Sequence, residues 1–263
     1  MQISGSSVLL TGASGGLGHA IARGLSARGA QLTLSGRDTD VLEPLAAALK
    51  ARALAADLSD RVALERLLDE LGDIDILIAN AALPASGPLD SLSIEEIDRA
   101  LEVNLRAPIV LARALAPAML ERRRGHLLFM SSLIAKAPAP GASIYTTTKA
   151  GLRAFAAGLR ADMHGSGVGV SAIFPGFISD AGMFADAPAP LPRGVSTRTP
   201  DDVARAVIDA IEHDRGEIDV APLSLRVGAM LGGIAPDLVS RVSRRFGSEE
   251  IARAIAEGQR GNR

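Results

Sequence analysis

Tyr145 is followed four residues later by Lys149, and Ser132 stands thirteen residues upstream of the tyrosine. Residues four apart on a helix share a face, so an ammonium at 149 would sit beside a phenol at 145. A free tyrosine titrates near pH 10, too high for easy proton exchange at neutral pH. A neighbouring cation favours phenolate and lowers that value, at about 1.4 kcal/mol per pH unit. A phenol tuned in this way can act as general acid or base in the interconversion of a carbonyl and an alcohol. The Tyr-x-x-x-Lys spacing alone recurs often by chance, so its meaning depends on the N-terminal segment.

There, Thr11-Gly12-Ala13-Ser14-Gly15-Gly16-Leu17-Gly18 follows an apolar run and opens an amphipathic one. A helix N-terminus offers free N–H groups and a positive dipole end to a phosphate, and glycines let backbone approach a pyrophosphate closely. The spacing is Gly12-x-x-x-Gly16-x-Gly18, wider than the common G-x-G-x-x-G, because Ile21 stands where the third small residue would fall. A plain tight strand-to-helix turn would use the same glycines. Gly12-Ala13-Ser14-Gly15-Gly16 also reads as G-x-S-x-G, the nucleophile elbow of serine hydrolases. Two features weigh against a hydrolase built on Ser14. The elbow belongs on a central strand preceded by others, and none precedes this one. The order Ser, acid, His also needs a late histidine, whereas His213 lies inside a helical pattern.

The elements that must position these residues are short apolar runs alternating with amphipathic segments. Strands are expected at Ser7–Leu10, Gln31–Ser35, Ala53–Ala56, Asp75–Ala79, His126–Met130, Gly169–Phe174 and Glu217–Val220. Helices are expected at Gly16–Arg28, Val41–Ala51, Arg61–Leu71, Ile94–Glu121, Tyr145–His164 and Pro200–His213. Near-continuous apolar strands suit a parallel sheet buried on both faces, and the alternation predicts an α/β, doubly wound open parallel sheet of about seven strands. Asp40 could cap the second helix, which would place Pro44 in a tolerant first turn, and Pro117 should bend or end the long helix. Gly176–Thr199, with Pro188, Pro190 and Pro192, reads as a substrate loop. Residues 1–222 form the predicted dinucleotide-binding and catalytic domain, and 223–263 an extension. Leu223–Val239 is too short and too charged to span a bilayer. It could pack on a partner subunit, roof the substrate pocket or lie on a membrane surface.

At 263 residues, 48% hydrophobic and 22% charged, the chain has material for an ordinary globular core. A net charge of −2 and 3% aromatic residues give no support to nucleic-acid binding. With no cysteine, disulfides and thiol catalysis are excluded. His19, His126, His164 and His213 are isolated and read as ordinary polar residues, so no metal site is expected. The N-terminus runs straight into a strand pattern without signal features, which makes the cytoplasm the default location.

Gly12-x-x-x-Gly16-x-Gly18, Asn80-Ala81-Ala82, Asn104, Ser132, Tyr145-x-x-x-Lys149 and Pro175-Gly176 occur in that order. Together they resemble the short-chain dehydrogenase/reductase family over about residues 5–220. The resemblance implies that Gly12, Ser14, Gly16, Leu17 and Gly18 hold a cofactor pyrophosphate, that Asp57 and Leu58 contact adenine, and that Asn80 and Ala81 line the cofactor. Ala82 replaces the family's usual glycine. It implies further that Tyr145 exchanges the proton, Lys149 lowers its pKa and binds the nicotinamide ribose, Ser132 polarises the substrate oxygen, and Asn104 holds a water that links Lys149 to solvent. Pro175, Gly176 and Ile178 fall in the segment that contacts the nicotinamide, where Asp180 stands in place of the usual threonine and Ser179 could substitute. At the end of the second strand, Gly36 occupies the place of the acid that NAD enzymes use, and Arg37 follows; this favours NADP, with NAD possible if Asp38 contacts ribose hydroxyls.

The reading is an NADP-dependent oxidoreductase that interconverts a secondary alcohol and a ketone. Met183, Phe184, Ala185 and Leu191 in the loop suggest an apolar small-molecule substrate. The resemblance implies a homodimer or homotetramer built through the long helices. A serine hydrolase using Ser14 and a non-catalytic dinucleotide-binding regulator are the alternatives.

Overall fold

Successive strand residues face opposite sides of a sheet, so a run of apolar residues fills two cores at once. In the computed structural model, which describes residues 1–180, 196–234 and 257–258, Val8 and Leu10 of β1 (Ser7–Thr11) face one core and Leu9 the other. Ile76 and Ile78 of β4 (Ile76–Ala79) join the first core and Leu77 the second. Leu128 and Met130 of β5 (Gly125–Met130) do the same against Leu127 and Phe129. With β2 (Gln31–Gly36), β3 (Arg52–Ala55), β6 (Val168–Pro175) and β7 (Glu217–Val220) they form one seven-stranded sheet, ordered β3-β2-β1-β4-β5-β6-β7 and parallel throughout. This is the doubly wound architecture the sequence predicts.

The first core is closed by α1 (Gly16–Ser26), α2 (Thr39–Leu49) and α7 (Pro200–His213), through Ile21, Leu25, Leu42, Leu45, Val207 and Ile211. The second is closed by α3 (Arg61–Glu70), α5 (Ala107–Glu121) and α6 (Ser143–Asp162), through Leu64, Leu67, Leu111, Met119, Leu152 and Ala156. Ile94–Glu121, taken as one run, is long and apolar enough on composition to cross a bilayer. Here its apolar positions Ala107, Leu111, Ala112 and Met119 fill the second core.

Three local expectations are corrected. The long helix is divided: α4 (Ile94–Leu101) and α5 are separated by a π turn over Glu102–Arg106, in which the Ala107 amide reaches back to the Glu102 carbonyl. Pro117 does not end α5, which runs on to Glu121 with Ala116 and Met119 on either side of the proline packed in the second core. The cap of α2 is Asp38, whose Oδ1 accepts from the Val41 amide at 3.3 Å, so Asp40 lies inside the helix and Pro44 beyond its first turn. Past β7, α8 (Leu223–Ile234) is a helix that the Leu-, Val- and Gly-rich pattern did not predict.

His126 is buried in β5, and its Nε2 lies 2.8 Å from Ser171 Oγ. Ser171 donates its own proton to the Arg215 carbonyl at 2.6 Å, so the imidazole is the donor at Nε2. Burial holds its pKa down to about 4, against a smaller opposing pull from Asp214. Since the unfolded chain takes up this proton first, stability should fall as pH drops from about 6.5 to about 4, by on the order of 3 kcal/mol from this residue. Urea unfolding of His126→Gln across that window should show a shallower pH slope than the wild type, and equal slopes would remove His126 as the cause.

Candidate active site at the carboxyl edge of the sheet

At the seam of β1 and β4 the glycine turn is tied down from one side. Asn80 Nδ2 donates to the carbonyls of Thr11 and Gly12, both at 3.1 Å, while Thr11 Oγ1 accepts from the amides of Asn80 and Ala81 at 3.1 and 3.2 Å. The approach is tight. Gly12 has φ +65°, and a Cβ there would lie 2.7 Å from the Ala81 Cα. Asn80 and Ala81, expected to line a cofactor, therefore also shape the turn that would hold one. Gly15 caps α1 with no side-chain hydrogen bond, and no acidic residue stands in the first turn that begins at Gly16. Gly18 is buried against the backbone of Gly12 and Ala13, where a Cβ would not fit, and the Leu17 side chain packs on the core. This edge fits an anionic phosphate group: backbone donors at a helix start, a positive dipole and no competing carboxylate in the first turn.

Beside it, the end of β2 comes close to Ser14: a Cβ at Gly36 would stand 2.7 Å from Ser14 Oγ. A side chain at 36 would require the Ser14 hydroxyl to move aside. Arg37 is exposed and close enough to Asp57 to favour its carboxylate. Burial alone would raise the Asp57 carboxyl; hydrogen bonds from the Ser59 amide (2.9 Å) and hydroxyl (2.7 Å), together with Arg37 and Arg99, outweigh it and hold the value below the usual range. Arg99, on α4, was not singled out from the sequence, because nothing local ties a helix residue to the end of β3. Leu58 is buried in the second core. Asp38 is engaged as the α2 cap, the role expected of Asp40.

Ser132 lies two residues beyond β5 and begins the 3₁₀ turn Leu133–Ala135. It is close enough to the Tyr145 phenol to favour the phenolate, and its Oγ lies 3.4 Å from the Pro175 carbonyl and from the Ile134 amide. The neighbouring Ser131 points elsewhere. It is buried and donates to the Lys149 carbonyl at 2.9 Å, fastening α6 to the end of β5. Lys149 is 2% exposed, and its Nζ donates to the Met130 carbonyl at 2.9 Å. Asn104, fully buried in the π turn, clamps Leu83 from both sides: Oδ1 accepts from the Leu83 amide at 2.7 Å, Nδ2 donates to its carbonyl at 2.8 Å, and Nδ2 lies 3.4 Å from Thr148 Oγ1 on α6. Such a wide turn changes the backbone pairing within the helix, a frequent feature of functional sites.

The electrostatics differ from the expectation. In the protein alone Lys149 does not lower the tyrosine. Desolvation pushes the Tyr145 phenol up to about 12, opposed by the nearby Ser132 hydroxyl, and desolvation brings the Lys149 ammonium down to about 7. Lys149 is buried and Tyr145 half-buried, and Nζ is held by the Met130 carbonyl, 5.8 Å from the Tyr145 ring centroid.

Pro175 and Gly176 close β6, with the Gly176 amide donating to the Val220 carbonyl at 3.0 Å. Ile178 is buried and bridges to Arg198, so the two ends of the expected substrate loop are joined at its base; residues 181–195, with Met183, Phe184, Ala185 and Leu191, lie outside the described residues. Gly176 lies against Leu133, Ala221 and Leu225. An apolar wall, partly supplied by α8, thus stands next to Ser132. Among the described residues Ser14 has no histidine partner: His19 Nε2 is buried without a hydrogen bond, His126 meets Ser171, and His213 meets Asp209.

The sequence pattern of the short chain dehydrogenases matches residues 6–190. The chain belongs to the short-chain dehydrogenase/reductase family. It is 33% identical to the ketoacyl reductase HetN of Nostoc over 98% of this chain and 94% of that protein, and 36% identical to 1-deoxy-11-beta-hydroxypentalenate dehydrogenase of Streptomyces exfoliatus over 82% of each. A short-chain dehydrogenase from Sphingobium yanoikuyae, solved in complex with NADPH, superimposes with a TM-score of 0.75 at 30% identity, covering 89% of this chain and 95% of that one. This short-chain dehydrogenase/reductase is an oxidoreductase of CH–OH and C=O groups that uses a nicotinamide dinucleotide.

Tyr145 is the only tyrosine and the chain has no tryptophan, so the phenolate band reports this one group. In the protein without cofactor that band should appear only well above pH 10. A transition below pH 10 would show that Lys149 already acts on the phenol.

Proposed function

We propose that the protein is an NADP-dependent oxidoreductase that interconverts an apolar secondary alcohol and its ketone. The observation that carries this reading is the closeness of Ser132 to the Tyr145 phenol, at the same sheet edge as the glycine turn Gly12–Gly18 whose cap makes no side-chain hydrogen bond. Gly12, Ser14, Gly16, Leu17 and Gly18 would hold the pyrophosphate, Asp57 and Leu58 the adenine, and Asn80, Ala81, Pro175, Gly176 and Ile178 the nicotinamide half. Arg37, with Gly36 in the place of an acid, would meet a 2′-phosphate; the NADPH-bound relative supports the same choice. The dinucleotide supplies or takes up the hydride when bound.

The chain's own groups do the rest. Ser132 donates to the substrate oxygen and keeps it in reach of the Tyr145 hydroxyl. Tyr145, neutral at physiological pH, gives its proton to that oxygen in reduction and receives one in oxidation. Lys149, once protonated beside an anion in the cleft, favours the phenolate left behind and would hold the nicotinamide ribose. Asn104 keeps Leu83 and α6 in register, and would hold the water that passes a proton from Lys149 outward. Leu133, Ala221 and Leu225 favour an apolar group next to the carbonyl. We place the protein in the cytoplasm as a homodimer or homotetramer, with residues 1–222 as the catalytic domain; exposed Ile94 and Leu120 on the long helices support association there.

A panel of ketones and alcohols, followed by reduced-cofactor absorbance with both nicotinamide forms, tests this. NADPH should serve better than NADH. Tyr145→Phe should lower kcat by about 100-fold or more while cofactor affinity holds. Arg37→Ala should weaken the phosphorylated form by about tenfold or more and leave the other unchanged. Full turnover in Tyr145→Phe, or equal use of both cofactors, would refute the respective assignment.

A further inference from the structure

Glu217, on the edge strand β7, joins two elements that carry reacting side chains. Its Oε2 lies 2.8 Å from Lys136 Nζ, and its Oε1 accepts from Arg153 Nε at 2.8 Å, with Arg153 Nη2 3.4 Å from Oε2. Lys136 ends the 3₁₀ turn that begins with Ser132. Arg153 follows Tyr145 by eight residues and Lys149 by four, so the three share one face of α6. Asp219, two residues on and on the same face of β7, lies 2.7 Å from Lys136 Nζ. The Phe174 ring lies near both cations, 4.0 Å from Lys136 Nζ and 5.7 Å from the Arg153 guanidinium carbon, and the next residue is Pro175, whose carbonyl Ser132 approaches.

Isolated surface ion pairs contribute little. This one is a network: the Lys136 side chain is 13% exposed, and Glu217 bonds two cations from different elements. Burial would raise the Glu217 carboxyl, but hydrogen bonds from Arg153 and Lys136 outweigh that and keep it ionised.

We propose that Glu217 is a positioning residue of the reaction: by bridging Lys136 and Arg153 it sets the separation of Ser132 on its turn from Tyr145 on α6. The inference rests on the Ser132–Tyr145 reading above. It explains why β7, which touches no reacting group, presents carboxylates at 217 and 219 toward the second core side while Ile218 packs on the first. Misplacement of reacting groups by about an ångström can cost 100-fold in rate.

The test uses the full-length protein with a substrate from the panel. Glu217→Gln should lower kcat by about tenfold or more, leave KM for the dinucleotide within about twofold, and keep the far-ultraviolet dichroism. The near-ultraviolet band of the single tyrosine should change. Glu217→Asp should recover part of the rate. The double variant Lys136→Met/Glu217→Gln should lose no more than its worse single parent, as expected of one unit. If Glu217→Gln fails to fold, Arg153→Leu cuts the same bridge from the helix side and is read in the same way. A folded variant that keeps both its kcat within about twofold and the wild-type tyrosine band overturns the proposal. A wild-type protein that reduces no carbonyl with either nicotinamide form overturns the proposed function instead, while the tyrosine band still tests the bridge.

Discussion

Between β1 and β4 the winding of the sheet reverses: β2 and β3 lie to one side, β5, β6 and β7 to the other. Crossovers leave in opposite directions here, so a crevice opens beyond the strand ends, and a ligand can reach backbone on both sides. The chain secures that crevice with one asparagine. Asn80 spans from β4 to the carbonyls of Thr11 and Gly12, and Thr11 answers with its hydroxyl. The glycine turn, the start of α1 and the approach of Ser14 to Gly36 all follow from the position this seam imposes.

The second group of site residues is built from the neighbouring strand ends and from α6. Ser131 and Lys149 stitch the helix to β5, one through a hydroxyl on the Lys149 carbonyl and the other through an ammonium on the Met130 carbonyl. Asn104 fixes the same helix to the opposite wall through Thr148 and Leu83. The result is a rigid frame around a phenol that the protein alone keeps protonated. Desolvation raises Tyr145 and lowers Lys149 together, so the frame is ready in geometry before it is ready in charge. A cleft of this kind couples its acid–base state to an anion held beside it.

Helix formation against local preference marks two places where tertiary contacts decide. The π turn at Glu102–Arg106 has no glycine or proline of its own; it forms where Asn104 must face Leu83 and Thr148 at once. In α8, Gly228 and Gly232 argue against a helix on propensity, yet Leu225 and Ala229 pack with Leu133 and Ala221 in a small core of their own. Local sequence carries no record of the partner surface in either case.

Much of this protein was legible from the order of its residues. Strand and helix alternation determined the sheet, since a strand buried on both faces must be apolar along its whole length, and the glycine, serine, tyrosine and lysine spacings determined the family. Spacing also separated Ser132 from Ser131. The tertiary structure alone decided the charge states, because desolvation depends on what packs around a side chain and not on its neighbours in sequence. It also decided that Asp38 rather than Asp40 caps α2, that Asn80 braces the glycine turn, and that Glu217 reaches the elements bearing Ser132 and Tyr145. The Asn80 and Glu217 contacts join residues far apart in the chain, which only the folded sheet brings within hydrogen-bond distance, whereas the Asp38 cap is a local contact settled by where α2 begins.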